Sequence, residues 1–384
     1  MVARRPGPRF ETASIRALIA IVAAAIAAVA AGAEVQTTAE VSVSAAMIHV
    51  GDSVSFSSTE EGRVTLQAAA SRDVKALLEA DVVLAPGGSP DFCLSLPRAY
   101  VKVRFPWFRL TAGKTRLSWG SGFLFDAADA IFGHLPPLSD LSAADPRDRT
   151  AWLVSPYVAI GDFSFVEGVF LPFMPVLPSP VPVPALPFVS IDSVSAGARA
   201  VFGWPGFSLE AGYLYDGERN LHKPLLSIQA SLYFELYGAA GISIPCDAAS
   251  WGDMEDSLRL SCGLFRTFDL DDRGSLSVRA EAGFVPLGEW EEADGGLAPG
   301  SLGYGASAFL EVAYSPASAV FLSARSILSP VDASGVGMLA MSWVIYQGLT
   351  LSGNVFLMFG DTDDVYGWDR DGDIGITAGM TYVF

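Results

Sequence analysis

The chain has 384 residues, of which 51% are apolar types and only 17% are charged, well below the ~25% charged content of ordinary soluble domains. Its formal charge is −18, which excludes a general nucleic-acid binder, because such proteins carry a basic footprint. Mean hydropathy is +0.38, yet beyond the N-terminus no uninterrupted apolar run reaches the ~20 residues that a spanning helix needs.

The N-terminus reads as a secretory signal peptide. Arg4, Arg5, Arg9 and Arg16 precede the apolar run Ala17 to Ala30, and Ala31-Gly32-Ala33 supplies an A-x-A cleavage site. Residues 1–33 are therefore expected to be a leader cleaved after Ala33, and residues 34–384 the exported domain. The apolar run is short for an anchor helix, and no cysteine follows the site, which argues against a lipoprotein.

Along the rest of the chain, apolar and polar residues alternate with the period of two that marks a strand with two different faces. Val35 to Val50 either extends the first strand or lies outside the wall, and the strand starting near Gly51 is expected to run upward from the periplasm. Val194, Ala196, Ala198, Ala200 and Phe202 oppose Ser195, Gly197, Arg199 and Gly203. Phe207, Leu209, Ala211, Tyr213 and Tyr215 oppose Ser208, Glu210 and Gly212. Leu225 to Pro245 keeps one phase for too long to be a single crossing, so a hairpin is expected near Phe234-Glu235-Leu236. Leu276 to Phe284, Leu349 to Phe359 and Ile374 to Phe384 repeat the alternation. The closest helical candidate, Val169 to Ser190, contains Pro172, Pro175, Pro178, Pro180, Pro182, Pro184 and Pro187, and each would break a helix.

Connections alternate between short and long, as in barrels whose two ends lie in the periplasm. The short ones are Ser71–Asp73, Pro106-Trp107, Gly161-Asp162, Trp204-Pro205-Gly206, Asp269–Gly274, Ser315–Ser318 and Tyr346–Leu349. The long ones include 120–150, 174–191, 246–256, 287–303 and 360–373. The expectation is an all-β fold: a transmembrane antiparallel up-and-down barrel of about 18 strands, with 16 the next choice, large enough for an aqueous lumen. Aromatics such as Phe105, Trp107, Phe202, Trp204, Tyr346, Tyr382 and Phe384 gather at strand ends, where an interfacial girdle belongs.

These features resemble the bacterial outer-membrane β-barrel class, and in particular its porin-like channels. Met380-Thr381-Tyr382-Val383-Phe384 resembles the terminal-strand signal read by the barrel-assembly machinery, with Tyr382 and Phe384 as its key residues. Arg98 to Phe125, RAYVKVRFPWFRLTAGKTRLSWGSGFLF, is similar to a strand-turn-strand of several porin-like and exporter-like barrels, in which a basic G-K-x-R element precedes W-G-x-G. The resemblance implies a barrel in the outer membrane, in contact with its lipid, passing small solutes.

Chemistry concentrates in two places. Arg98, Lys102, Arg104, Arg109, Lys114 and Arg116 occupy a stretch without acids, and Arg199 and Arg279 fall on lumen-facing positions. Such a row is either a pore wall that favours anions or one half of a set of cross-strand pairs with Glu210, Glu281 and Glu311. The loop from Ser121 to Thr150 carries Asp126, Asp129, Asp140, Asp145 and Asp148 beside Arg147 and Arg149. It either folds inward to form a constriction against the basic wall or stays on the surface. The acidic loop around Asp361 to Asp373 lacks EF-hand spacing and reads as solvated. His222 has Asp216 and Glu218 nearby, but no nucleophile, metal cluster or phosphate loop stands out, so neither an enzyme nor a cofactor is expected. Cys93, Cys246 and Cys262 give no disulfide framework. The leading function is passive or weakly selective passage of small solutes, with an anion lean. The alternative is a non-conducting adhesion or binding barrel that works through its extracellular loops. Nothing in the sequence fixes the oligomeric state.

Overall fold

A computed structural model describes residues 34–50, 53–69, 71–86, 90–133, 141–142, 145–172, 194–248, 257–293, 296–297, 301–367 and 373–384. The expected leader, residues 1–33, and most of the Pro-rich loop lie outside the described residues. None of the described helices is long and apolar enough to cross a membrane.

Antiparallel strands follow one another in chain order. They are β1 (Glu34–Val50), β2 (Ser53–Ala69), β3 (Val74–Pro86), β4 (Pro90–Arg104), β5 (Arg109–Thr115) and β6 (Ala151–Ile160). Next come β7 (Ser164–Leu171), β8 (Ser195–Trp204), β9 (Phe207–Asp216), β10 (Leu221–Ser231) and β11 (Glu235–Gly241). β11 resumes over Ile244–Pro245, which keeps the same register against β10: Leu225 faces Gly241 and Leu221 faces Pro245. β12 (Arg259–Asp269), β13 (Ser275–Phe284), β14 (Ala306–Ala317), β15 (Val320–Ser329), β16 (Ser334–Tyr346), β17 (Leu349–Phe359) and β18 (Asp373–Val383) complete the wall. β1 pairs with both β2 and β18, so the 18-strand barrel is closed. Closure leaves every wall strand a neighbour on each side, the condition for placing backbone amides in lipid.

Alternation sorts the two faces. On β14, Leu310 and Val312 are exposed on the outside while Phe309, Glu311 and Ala313 are buried inside. The outer surface carries Val41, Val43, Leu226, Ile228, Leu339, Met341, Val355 and Ile376, all exposed. Such a contiguous apolar surface belongs in lipid rather than water. Phe105, Trp107, Phe163, Trp204, Tyr346 and Phe384 lie exposed at the short-turn end.

The expected hairpin after β10 is present, turning through 232–234 before Glu235 opens β11. One expectation fails. Val35 to Val50 is neither an extension nor a loose segment: with Glu34 it forms a 17-residue strand of its own. The strand near Gly51, β2, therefore starts at the long-loop rim and runs down to the short turn at Ser71–Asp73. That turn lies beside the β4–β5 turn, with Arg104 N donating to Asp73 O at 2.7 Å. The upward crossing is β1. Its alternation is low in contrast because Ala39, Ser42, Ser44, Ala45 and Ala46 are small on both faces.

Candidate functional site

β5 has only seven residues, against 15 in the adjacent β4. After Thr115 the chain leaves the wall, and the described residues between it and β6, 116–133, 141–142 and 145–150, run along the inner surface. This segment is the loop expected either to constrict the lumen or to stay on the surface, and its described part lies inside.

Wall carboxylates hold it by the backbone. Glu281 on β13 accepts from the N–H groups of Phe123 (2.7 Å), Leu124 (2.7 Å) and Phe125 (2.9 Å). Glu210 on β9 accepts from Gly120 N at 3.2 Å, and Ser261 Oγ on β12 accepts from Ala127 N at 3.0 Å. Wall cations take the loop's carbonyls. Arg199 Nη1 donates to Ser118 O at 3.0 Å, and Arg325 Nη1 to Leu141 O at 2.7 Å. A loop inside a barrel cannot pair with a sheet, so its buried amides need such side-chain partners.

Two apolar clusters complete the seating. Leu117, Trp119, Ala128 and Ile131 pack on Leu153, Val169, Leu171, Leu214 and Leu225 of β6, β7, β9 and β10. Leu124 and Leu141 pack on Phe309, Ile327 and Met338 of β14, β15 and β16. Tyr366, from the acidic loop after β17, joins this second cluster. Its N–H donates to Ser334 Oγ at 3.2 Å, and Val365 N to Asp332 Oδ2 at 2.9 Å. The acidic loop therefore tucks part of itself into the mouth, while residues 368–372 lie outside the described residues.

The loop also carries its own clamp. Arg147 is buried and reaches Asp126 Oδ2 at 2.6 Å and Asp129 Oδ2 at 2.9 Å. It donates to Trp119 O at 2.9 Å, to Ser118 Oγ at 2.8 Å and to Gly122 O. Burial, opposed by Arg147 and reinforced by Asp129, pushes the Asp126 carboxyl up to about 6. The W-G-x-G element supplies the bend around this clamp. Gly120 has φ +79°, and a Cβ there would lie 2.3 Å from Asp126 Oδ1. A Cβ on Gly122 would lie 2.1 Å from Phe125 O. Only glycine fits either position.

The candidate residues read from the sequence divide accordingly. Asp145 meets the basic wall, 2.5 Å from Arg116. Asp148, another acid of the same loop, meets Arg98 at 2.5 Å. Asp126 and Asp129 turn toward Arg147 instead of the wall, and Asp140 lies outside the described residues. Arg199 bridges Glu167 (2.8 Å) and Glu210 (3.1 Å). Arg279 lies 3.7 Å from Glu311, with its guanidinium 3.7 Å from the ring centroid of the loop's Phe123. Lys102, Arg104, Arg109 and Lys114 appear in none of the ion pairs of the described residues. Arg116, Arg147, Arg279, Tyr237 and Gln229 line a cavity of about 270 Å³ beneath the loop.

His222 faces outward, against the Tyr213 hydroxyl and 3.2 Å from Cys246 Sγ, while Asp216 pairs with Lys223 at 2.7 Å. The three cysteines are free and exposed. Tyr382 packs edge-on against Phe384, whose N–H donates to Ala39 O at 2.8 Å and seals the last strand to the first.

No family model matches the chain, and no curated protein matches it in sequence. Among solved structures it is similar to Pseudomonas aeruginosa OccK2, with a TM-score of 0.58 at 9% identity, covering 91% of this chain and 98% of that one. It is similar to Acinetobacter baumannii OccAB4, with a TM-score of 0.53 at 10% identity and coverage of 91% and 98%. It is also similar to the outer membrane protein OprD of Pseudomonas aeruginosa, with a TM-score of 0.51 at 11% identity and coverage of 91% and 93%. At these identities the likeness is one of fold, and that fold is the porin-like outer-membrane β-barrel.

Proposed function

We propose that the chain is an outer-membrane channel for small solutes, exported by the leader of residues 1–33 and inserted by the barrel-assembly machinery through its Tyr382–Phe384 end. One observation carries this reading. A loop is fixed along the inner surface of a closed 18-strand barrel and seated mainly on β6 to β16. Barrels of this size have room for water. A seated loop narrows such a lumen without sealing it, and the wall from β2 to β5 stays lined by charged side chains. Passage is then passive, with weak selection by size and charge. Of the basic wall, Arg98, Arg116, Arg199 and Arg279 are offset by carboxylates, so Lys102, Arg104, Arg109 and Lys114 give the anion lean, since fixed cations concentrate anions at a pore surface.

The packing of Leu124, Leu141 and Tyr366 across one side of the mouth favours a second reading, a closed barrel that binds partners through its loops. Single-channel recording on the refolded chain in a planar bilayer separates the two. Stable open steps, with a reversal potential in a KCl gradient on the chloride side, support the anion-leaning channel. A folded barrel that never conducts supports the binding barrel.

A further inference from the structure

Lumen-facing cations of the wall fall into two groups. Arg63, Arg98, Arg116, Arg199, Arg279 and Arg325 each lie 2.5–3.8 Å from a carboxylate. Lys75, Lys102, Arg104, Arg109, Lys114 and Arg259 form no ion pair among the described residues; Lys114 and Arg259 lie elsewhere, whereas Lys75, Lys102, Arg104 and Arg109 share one place. Together with Arg72 they line a cavity of about 680 Å³ at the short-turn end, where Asp73 is the one carboxylate of the described lining.

The register makes this arrangement costly when empty. Lys75 stands directly opposite Lys102, and Arg104 directly opposite Arg109. Like charges facing each other across strands repel. Arg109 lies over the Tyr157 ring, 4.2 Å from its centroid, and its Nε is buried without a hydrogen-bond partner. Phe105 and Phe108, stacked at 4.3 Å, close the turn that forms the rim. The result is a concave, aromatic-edged site with two lysines, three arginines and an orphan donor. A wall that merely balanced its charges would have placed acids here, as it does around Arg63 and Arg199.

We propose that this cavity is a binding site for a multivalent phosphoryl anion, reached from the periplasmic mouth. The assignment of that mouth rests on the channel reading; the site itself rests on the cavity. Arginine forks match the paired oxygens of a phosphoryl group, and the lysines add mobile point charges. A cluster with four more positive than negative groups favours a ligand with several charges over chloride. The size suits a small phosphorylated solute or a phosphoric anhydride.

Inorganic pyrophosphate is the probe, applied to the full chain in a bilayer bathed in KCl. Added from the short-turn side, it should reduce the chloride current with one-site saturation, well below the phosphate concentration that gives equal block. Removing two charges in Lys102→Gln/Arg109→Gln should raise the half-blocking concentration at least ~10-fold, the change expected from losing ~1.4 kcal/mol. Should that variant fail to refold, Arg104→Gln, exposed at the rim, should raise it by a smaller factor. Equal block in wild type and variants, or block only from the long-loop side, overturns the proposal. If the barrel does not conduct, the channel reading fails and titration calorimetry on the detergent-solubilised chain decides the site. Binding of one pyrophosphate that weakens in Lys102→Gln/Arg109→Gln supports it, and absence of binding overturns it.

Discussion

Glu281 Oε2 lies 2.7 Å from the backbone nitrogen of Leu124, a residue 157 positions away in the chain. The same carboxylate takes the N–H groups on either side and the Tyr237 hydroxyl. One wall side chain thus does for three loop amides what a neighbouring strand would otherwise do.

The loop should therefore loosen when Glu281 loses its charge. Glu281→Gln keeps one acceptor oxygen and loses the other, leaving buried N–H groups short of a partner at a cost of about 1–3 kcal/mol. Trypsin should then cut after Arg147, which is 7% exposed in the intact barrel. A Glu281→Gln barrel that resists cleavage as well as wild type would show that the apolar clusters hold the loop without it.

Arg147 should matter more. Arg147→Met leaves Asp126 and Asp129 buried side by side with no cation, a change that costs about 3–5 kcal/mol when one partner of a buried pair is removed. Adding Asp126→Asn and Asp129→Asn should recover most of the loss, because the stranded charges are gone. Thermal loss of the folded form on gels, compared across the single and triple variants, measures both effects. No recovery in the triple variant would mean that the hydrogen bonds of Arg147 to Trp119 and Ser118 carry the loop.

Asp126 should report pH. Its folded value of about 6 stands above the ordinary 3.8, with burial the main cause. A raised folded value means that the seated loop binds the proton more tightly than the free loop does. The resulting contribution to seating is fully present below about pH 3.8 and lost as pH rises through about 6. Resistance of the loop to protease should accordingly increase between pH 7 and pH 5 in wild type. Asp126→Asn should flatten that dependence. A step that survives in the variant belongs to another group.

Gly120 should tolerate no side chain. In Gly120→Ala the new methyl would meet Asp126 Oδ1 at 2.3 Å on a residue with φ +79°. The strain of a non-glycine residue in that region is about 1–2 kcal/mol before any clash. The barrel should still insert, with its loop more open to trypsin. Unchanged protection would place the bend under less constraint than its geometry indicates.

Most of the wall was legible because lipid outside and polar groups inside impose one simple rule on alternate residues. Phe309 and Leu310, or Arg199 and Ala200, obey it without reference to anything distant. β1 was the exception, since Ser42, Ser44 and Ala45 differ too little in polarity to announce which face they occupy. The loop was harder to read for a different reason. Whether Asp126 turns to Arg147 or to the wall depends on where Trp119 and Ile131 pack, and those contacts join segments far apart in the chain. The glycines of W-G-x-G were visible as a motif, but their steric need appears only once Asp126 and Phe125 are in place beside them. Spacing showed the run of cations from Arg98 to Arg116. That Lys75 stands opposite Lys102 depends on the register of β3 against β4, which alternation alone does not set.

Seam formation gives the closed wall a kinetic consequence. Glu40 pairs with Val383, and His49 with Ile374, so the first strand waits for the last. Every other neighbouring pair joins strands consecutive in the chain, so it closes over one turn or one loop at a modest entropic cost. The seam does not, because more than 300 residues separate its two sides. A product truncated before β18 would retain two long unpaired edges, the surface most prone to pair with another chain. Completion of the cylinder is thus a single late event that commits the whole chain at once, and an incomplete wall differs from a finished one in one unambiguous feature: an open seam.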